Sequence, residues 1–142
     1  MMTTINKVII IGAGDLGRAI ALKMSESGRE VTLIDQHEAA FKHLSTTYGG
    51  NTALADGTLV EDLKLNDIEH CDLLISATEN DKTNLFIALL GARYFHVPQV
   101  YVRLYNKHLN LLVNTEHTHV ICPAELSVKM VEDKLALKRD KV

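Results

Sequence analysis

The chemistry-bearing residues cluster first in Ile11-Gly12-Ala13-Gly14-Asp15-Leu16-Gly17. This is G-x-G-x-x-G, placed directly after an apolar run and at the start of a helical pattern. In that setting each glycine has a physical use. Gly12 permits a tight strand-to-helix turn. Gly14, lacking a side chain, lets a pyrophosphate approach the backbone. Gly17 allows the helix to pack closely on the sheet. The free N–H groups and positive end of the helix then receive phosphate. A second element supports this reading. Asp35 closes the next apolar run, roughly 20 residues on, where a ribose-binding acid belongs. Its carboxylate can accept from both ribose hydroxyls and would repel a 2′-phosphate. No arginine follows it, only Gln36 and His37. The pattern therefore favours NAD, or another nucleotide with a free ribose, over NADP. The competing reading is a domain whose glycines merely pack.

Other polar groups follow later apolar runs, where open parallel sheets bind ligands. These are Asp56-Gly57-Thr58, then Ala77-Thr78-Glu79-Asn80, then Arg103. Asp56 either rims an adenine or makes the Asp-Gly turn. Asn80 precedes a helix and reads first as its N-cap. Arg103 either contacts phosphate or pairs with an acidic neighbour. The candidate cofactor-binding set is thus Gly12, Gly14, Asp15, Leu16, Gly17, Asp35, Gln36, Asp56, Gly57, Thr58, Ala77, Thr78, Glu79, Asn80 and Arg103.

The elements that must position these residues alternate regularly. Strands are expected at 7–11, 30–34, 52–55, 72–76, 99–103 and 119–122. Helices are expected at 15–27, 37–48, 59–65, 81–94, 107–114 and from Pro123, which suits a first helical position, to 138. Residues 8–11 are continuously apolar, as in a strand buried on both faces. Leu16, Ile20 and Met24 recur at helical spacing, and Leu126, Met130, Val131 and Leu135 stripe the last helix. Such alternation predicts an α/β fold, a Rossmann-type doubly wound parallel sheet of about six strands with flanking helices.

Composition narrows the function. The chain has 142 residues, 46% hydrophobic and 23% charged, with a net charge of −3. That suits one domain and gives no general attraction to nucleic acid. A basic cluster, Lys138, Arg139 and Lys141, suits a helix C-terminus. The longest apolar stretch, 85–92, is far below the roughly 18 residues of a membrane span. The two cysteines are far apart and the seven histidines form no metal set. Hydride-transfer enzymes need a further domain for substrate and an acid–base group. No tyrosine is followed four residues on by the lysine of a one-domain reductase. A sensor is therefore expected rather than an enzyme.

These residues resemble the nucleotide-binding domain of potassium transport, the N-terminal half of RCK domains (regulators of K⁺ conductance), also called the Trk-type N-terminal domain. The resemblance spans about 6–138. It rests on the glycine turn with 8–11, Val31-Thr-Leu-Ile-Asp35, Ala55-Asp-Gly-Thr58, the Ala-Thr-x-x-Asp-x-x-Asn pattern from Ala77 to Asn84, Arg103 with Asn106, and Val120-Ile-Cys-Pro123. It implies a cytoplasmic regulatory domain that binds NAD⁺ or NADH, AMP, ADP or ATP. Its partner would be a membrane cation channel, transporter or antiporter subunit. It also implies a homodimer or higher ring, with the last helix crossing to a partner subunit. Two positions depart from the family pattern. Asp15 stands where ATP-binding members often carry a cation, which turns the expectation toward NAD(H) or AMP. Ala124 separates Pro123 from Glu125, where the family often has an acid at once. The chain is expected to be one nucleotide-binding domain over 1–142, without the family's C-terminal half. The alternative is the cofactor-binding domain of an NAD-dependent oxidoreductase.

Overall fold

A computed structural model describes residues 4–113 and 116–136. Its centre is β1 (Lys7–Ile11), whose Val8, Ile9, Ile10 and Ile11 are all buried because sheet and helices cover both faces. Around it lie β2 (Glu30–Asp35), β3 (Asn51–Leu54), β4 (Leu73–Ser76), β5 (Gln99–Arg103) and β6 (Thr118–Ile121). They form a six-stranded sheet in the order β3-β2-β1-β4-β5-β6, with every pairing parallel. This is the doubly wound order, in which the winding reverses between β1 and β4.

The helices fill two apolar layers. On one face α1 (Asp15–Glu26) places Leu16, Ile20, Ala21 and Met24 over Val8, Ile10, Val31, Leu33, Leu73 and Ile75. On the other, α2 (Val60–Leu65) contributes Leu63 and α3 (Asp81–Leu89) contributes Ile87 and Ala88. They cover Ile9, Ile11, Ile34, Leu74, Val100 and Val102. At about 25 cal/mol per Å² of apolar area, these layers supply most of the folding drive.

The structure corrects three expected helices. Residues 37–48 form only a short 3₁₀ helix, Glu38–His43. Beyond it the Ser45 and Thr47 hydroxyls bond each other at 2.8 Å and Ser45 Oγ accepts Thr47 N–H, a local turn that competes with helix. Residues 107–112 are likewise 3₁₀, Lys107–Leu112, with Asn114 outside the described residues. The expected helix 81–94 is α-helical to Leu89 and then widens into a π turn, Leu90–Tyr94, where Phe95 N–H reaches Leu90 O at 2.9 Å. The last helix, α4 (Pro123–Leu135), buries none of its residues. Lys138, Arg139 and Lys141 lie outside the described residues. Among the described residues no helix is long and apolar enough to cross a membrane.

Candidate functional site

Strand order brings the C-terminal ends of β1, β2, β3 and β4 together, and a cleft of about 600 Å³ opens above them. That volume lies within the ordinary range for small-molecule sites. Its floor is the glycine turn. Gly12 has φ of +109°, which L side chains rarely adopt. A Cβ there would stand 2.5 Å from Ala77 O, so Gly12 also lets β1 and β4 close together. A Cβ on Gly17 would overlap the Gly12 carbonyl oxygen, so the start of α1 can reach the turn only with glycine. Gly14 differs. A Cβ there meets nothing within 4 Å, because the residue faces the cleft. Its emptiness is the space a phosphate needs beside the N-terminus of a 12-residue helix.

Asp35 forms the wall beside the turn. Its Oδ2 accepts Ala13 N–H at 2.9 Å and its Oδ1 accepts His37 N–H at 2.8 Å. A carboxylate has about four lone-pair directions. Two are used to fix its position and two remain for ribose hydroxyls. Beyond β3, Asp56 Oδ1 accepts from Thr58 N at 2.9 Å and Thr58 Oγ1 at 2.6 Å. Asp56 therefore makes the turn and also lines the cleft. Gly57 packs against Ile11, where a Cβ would come within 2.6 Å of Cγ2.

The wall after β4 is built on Asn84, which is fully buried. Its Oδ1 accepts from Thr78 N at 2.8 Å and Thr78 Oγ1 at 2.5 Å. Its Nδ2 donates to Thr78 O and to Arg103 O, each at 2.9 Å. Asn80 caps α3 by accepting Thr83 N–H at 2.9 Å while lining the cleft. Asp81 accepts Tyr105 N–H and Asn106 N–H, each at 2.9 Å. The Ala-Thr-x-x-Asp-x-x-Asn pattern is thus a brace that ties the β4 turn to the segment after β5.

Of the expected site residues, Gly12, Gly14, Asp35, Gln36, Asp56, Gly57, Thr58, Ala77, Thr78, Glu79 and Asn80 line one cleft. Four do not. Asp15 points to solvent and its Oδ1 holds Arg18 Nη2 at 2.7 Å. Leu16 packs into the α1 layer, and Gly17 lies under the turn. Arg103 sits on β5, away from the switch point, with its guanidinium carbon 4.5 Å from the Tyr105 ring centroid and Nη2 donating to the Tyr105 hydroxyl. Among the described residues it pairs with no acid. The sequence reading missed Ile11, Ala13, Arg18, His37, Ala40, Ala55, Thr83 and Ile87 as lining residues. Arg18 was recoverable, since it lies one helical turn beyond Gly14 and faces the same way. Both cysteines are buried, and burial pushes the Cys71 thiol up to about 11.

A doubly wound sheet with a glycine turn at its switch point and an acid on the neighbouring strand defines a Rossmann-type nucleotide-binding domain. Residues 8–123 match the TrkA-N domain, and the chain belongs to that family. It is 27% identical over 126 residues to the "Trk system potassium uptake protein TrkA homolog" of Methanothermobacter thermautotrophicus, covering 88% of this chain and 58% of that protein. The chain spans about half the length of the curated relatives it matches. The fold matches the GsuK channel bound to NAD, with a TM-score of 0.77 and 18% identity over 96% of this chain and 24% of that one. It also matches the Kef C-terminal domain of Shewanella denitrificans in its AMP-bound form. There the TM-score is 0.70 and the identity 17%, over 95% of this chain and 84% of that one.

Proposed function

We propose that this domain senses a cytoplasmic adenine nucleotide, NAD⁺ or NADH before AMP, ADP or ATP, and regulates a membrane system for potassium or another monovalent cation. The observation that carries the reading is the pairing of an open Gly14 with the Asp35 carboxylate across one cleft. Phosphate would lie against the Gly14 turn and ribose against Asp35, with Asp56, Thr58, Thr78 and Asn80 along the walls. Membership of the TrkA-N family supports the transport role, because potassium uptake proteins are among its relatives. The same membership argues for a sensor over an oxidoreductase's cofactor domain, and for a non-catalytic role.

Such a sensor needs a partner to act on. The exposed α4, with Leu126, Met130, Val131 and Leu135 all more than half exposed, supports pairing with a second copy in a dimer or higher ring. A nucleotide that prefers one arrangement of that pair shifts its population and so biases the membrane partner.

The test is thermal unfolding with NAD⁺, NADH, NADPH, ATP, ADP and AMP in parallel. A ligand at 100 times its Kd adds about 2.7 kcal/mol. That is several degrees for a domain of this size. The expected result is a selective rise with NAD⁺ or NADH that is lost in Asp35→Ala. No rise with any nucleotide overturns the reading. Hydride turnover on addition of a substrate-bearing domain would establish the oxidoreductase alternative instead.

A further inference from the structure

Among the charged residues that line the cleft, acids outnumber bases. Asp35, Asp56 and Glu79 face it, against Arg18 as the permanently charged cation among the described lining residues. Arg18 is not free to move its charge away. Its side chain is only 19% exposed, Nη1 donates to Ala13 O at 2.8 Å, and Nη2 donates to Asp15 Oδ1 at 2.7 Å. The guanidinium is therefore laid along the glycine turn, anchored by the turn's own carbonyl. A guanidinium carries five donors. Two are used here, which leaves three for a ligand. Asp15, by contrast, is fully exposed and makes this one bond.

Resting on the nucleotide-binding reading, we infer that Arg18 is the phosphate-binding side chain of the cleft and that Asp15 competes with the ligand for it. Together the two set which nucleotides are accepted by phosphate charge. A phosphate reaching Arg18 must share the guanidinium with the Asp15 carboxylate or displace it. The cost of sharing rises with ligand charge, because like charges a few ångströms apart repel. The esterified pyrophosphate of NAD⁺ carries about two negative charges and ATP about four. In a cleft with three carboxylates and one guanidinium, the dinucleotide is favoured. Asp15 thus acts on selectivity through Arg18 without lining the cleft.

The experiment is calorimetric titration of adenosine, ADP, ATP and NAD⁺ into the intact chain and into Arg18→Gln and Asp15→Asn. Arg18→Gln is expected to weaken ADP and NAD⁺ by about tenfold, the scale of one lost charge-assisted hydrogen bond, and adenosine by less than about twofold. Asp15→Asn is expected to tighten ATP several-fold and NAD⁺ by less. Melting temperatures without ligand check that the variants fold. Asp15 is fully exposed, so Asp15→Asn is expected to melt near wild type, whereas Arg18→Gln also gives up the bond to Ala13 O and is expected to melt slightly lower. If Arg18→Gln does not fold, the ATP-to-NAD⁺ ratio in Asp15→Asn decides. Equal losses for adenosine and ADP, or an unchanged ratio in Asp15→Asn, overturn the inference while leaving nucleotide binding standing. A wild-type chain that binds none of the four overturns both.

Discussion

Asp35 Oδ2 lies 2.9 Å from the backbone nitrogen of Ala13, so the acid that ends β2 holds the turn that ends β1. Ala13 is fully buried, and its N–H has this carboxylate as its partner. Asp35 is thus a structural residue before any ligand arrives. Asp35→Ala leaves the Ala13 and His37 N–H groups unmatched and is expected to cost about 1–3 kcal/mol. Asp35→Asn keeps an acceptor for one of them and is expected to cost less. Both remove the charge offered to ribose, so both are expected to lose NAD⁺ binding. Urea unfolding with parallel titration separates the two effects. Asp35→Ala with unchanged stability would mean that the two N–H groups find other partners.

Asn84 gives the second prediction. It is fully buried and satisfies Thr78 N, Thr78 Oγ1, Thr78 O and Arg103 O from one amide. Asn84→Ala removes the shared partner of these partly buried groups. The expected cost is about 2–4 kcal/mol. The turn at Thr78, a cleft wall, should loosen with it. Amide exchange at Thr78, compared with that at Ile9 in the central strand, reports whether the loss is local.

The opposite end of the sheet carries a pH-dependent contact. Asp67, in the left-handed region at φ 66°, accepts from Lys7 Nζ and lies against His70 Nδ1, each at 2.5 Å. The Lys7 ammonium, then His70, hold the Asp67 carboxyl below its ordinary value, and Asp67 in turn holds His70 above its own. A raised histidine contributes stability that is fully present below its unfolded value near pH 6.5 and is lost as pH rises through the folded value. The lowered carboxyl works oppositely. Its contribution is present above its unfolded value and is lost as pH falls through the folded one. His70→Gln is therefore expected to destabilise more at about pH 5.5 than at about pH 8.5. Both groups are exposed, so the difference should be small and shrink with added salt. A deficit independent of pH would assign His70 a packing role instead.

The sheet was legible because its signals are continuous and local. Residues 8–11 and 73–75 are unbroken apolar runs, short and bounded by polar residues or glycine, as strands covered on both faces are. The glycine turn and Asp35 were legible because their spacing reflects a fixed geometry. The segments at 37–48 and 107–114 were not. Their apolar spacing is helical, but the hydroxyl turn at Ser45 and Thr47 ends the first after His43, and the second, capped by Asn106, tightens to 3₁₀ over Lys107–Leu112. Arg103 falls outside the cleft lining, and a strand position does not reveal that Tyr105, two residues on, takes up its guanidinium. Arg18 could have been placed on the cleft side from its helical spacing to Gly14, but its anchoring on the Ala13 carbonyl is visible only in the fold.

The glycines of the turn supply the sharpest division between fold and binding. A Cβ at Gly17 strikes the Gly12 carbonyl oxygen, a backbone atom that cannot swing aside. Gly17→Ala is expected to cost roughly 1–3 kcal/mol and to melt several degrees below wild type. A Cβ at Gly14 strikes nothing, and the backbone there, φ −78° and ψ −169°, is open to any residue. Alanine restricts the unfolded chain, which favours folding by about 0.4–1 kcal/mol. It is also a poorer helix N-cap than glycine, which offsets that gain by a similar amount. Gly14→Ala is therefore expected to melt near wild type. Its methyl group occupies the space where phosphate would lie, and NAD⁺ affinity should fall about tenfold or more. Melting curves without ligand and titration with NAD⁺ check both halves. Gly14→Ala that binds NAD⁺ as tightly as wild type would place the phosphates away from the turn.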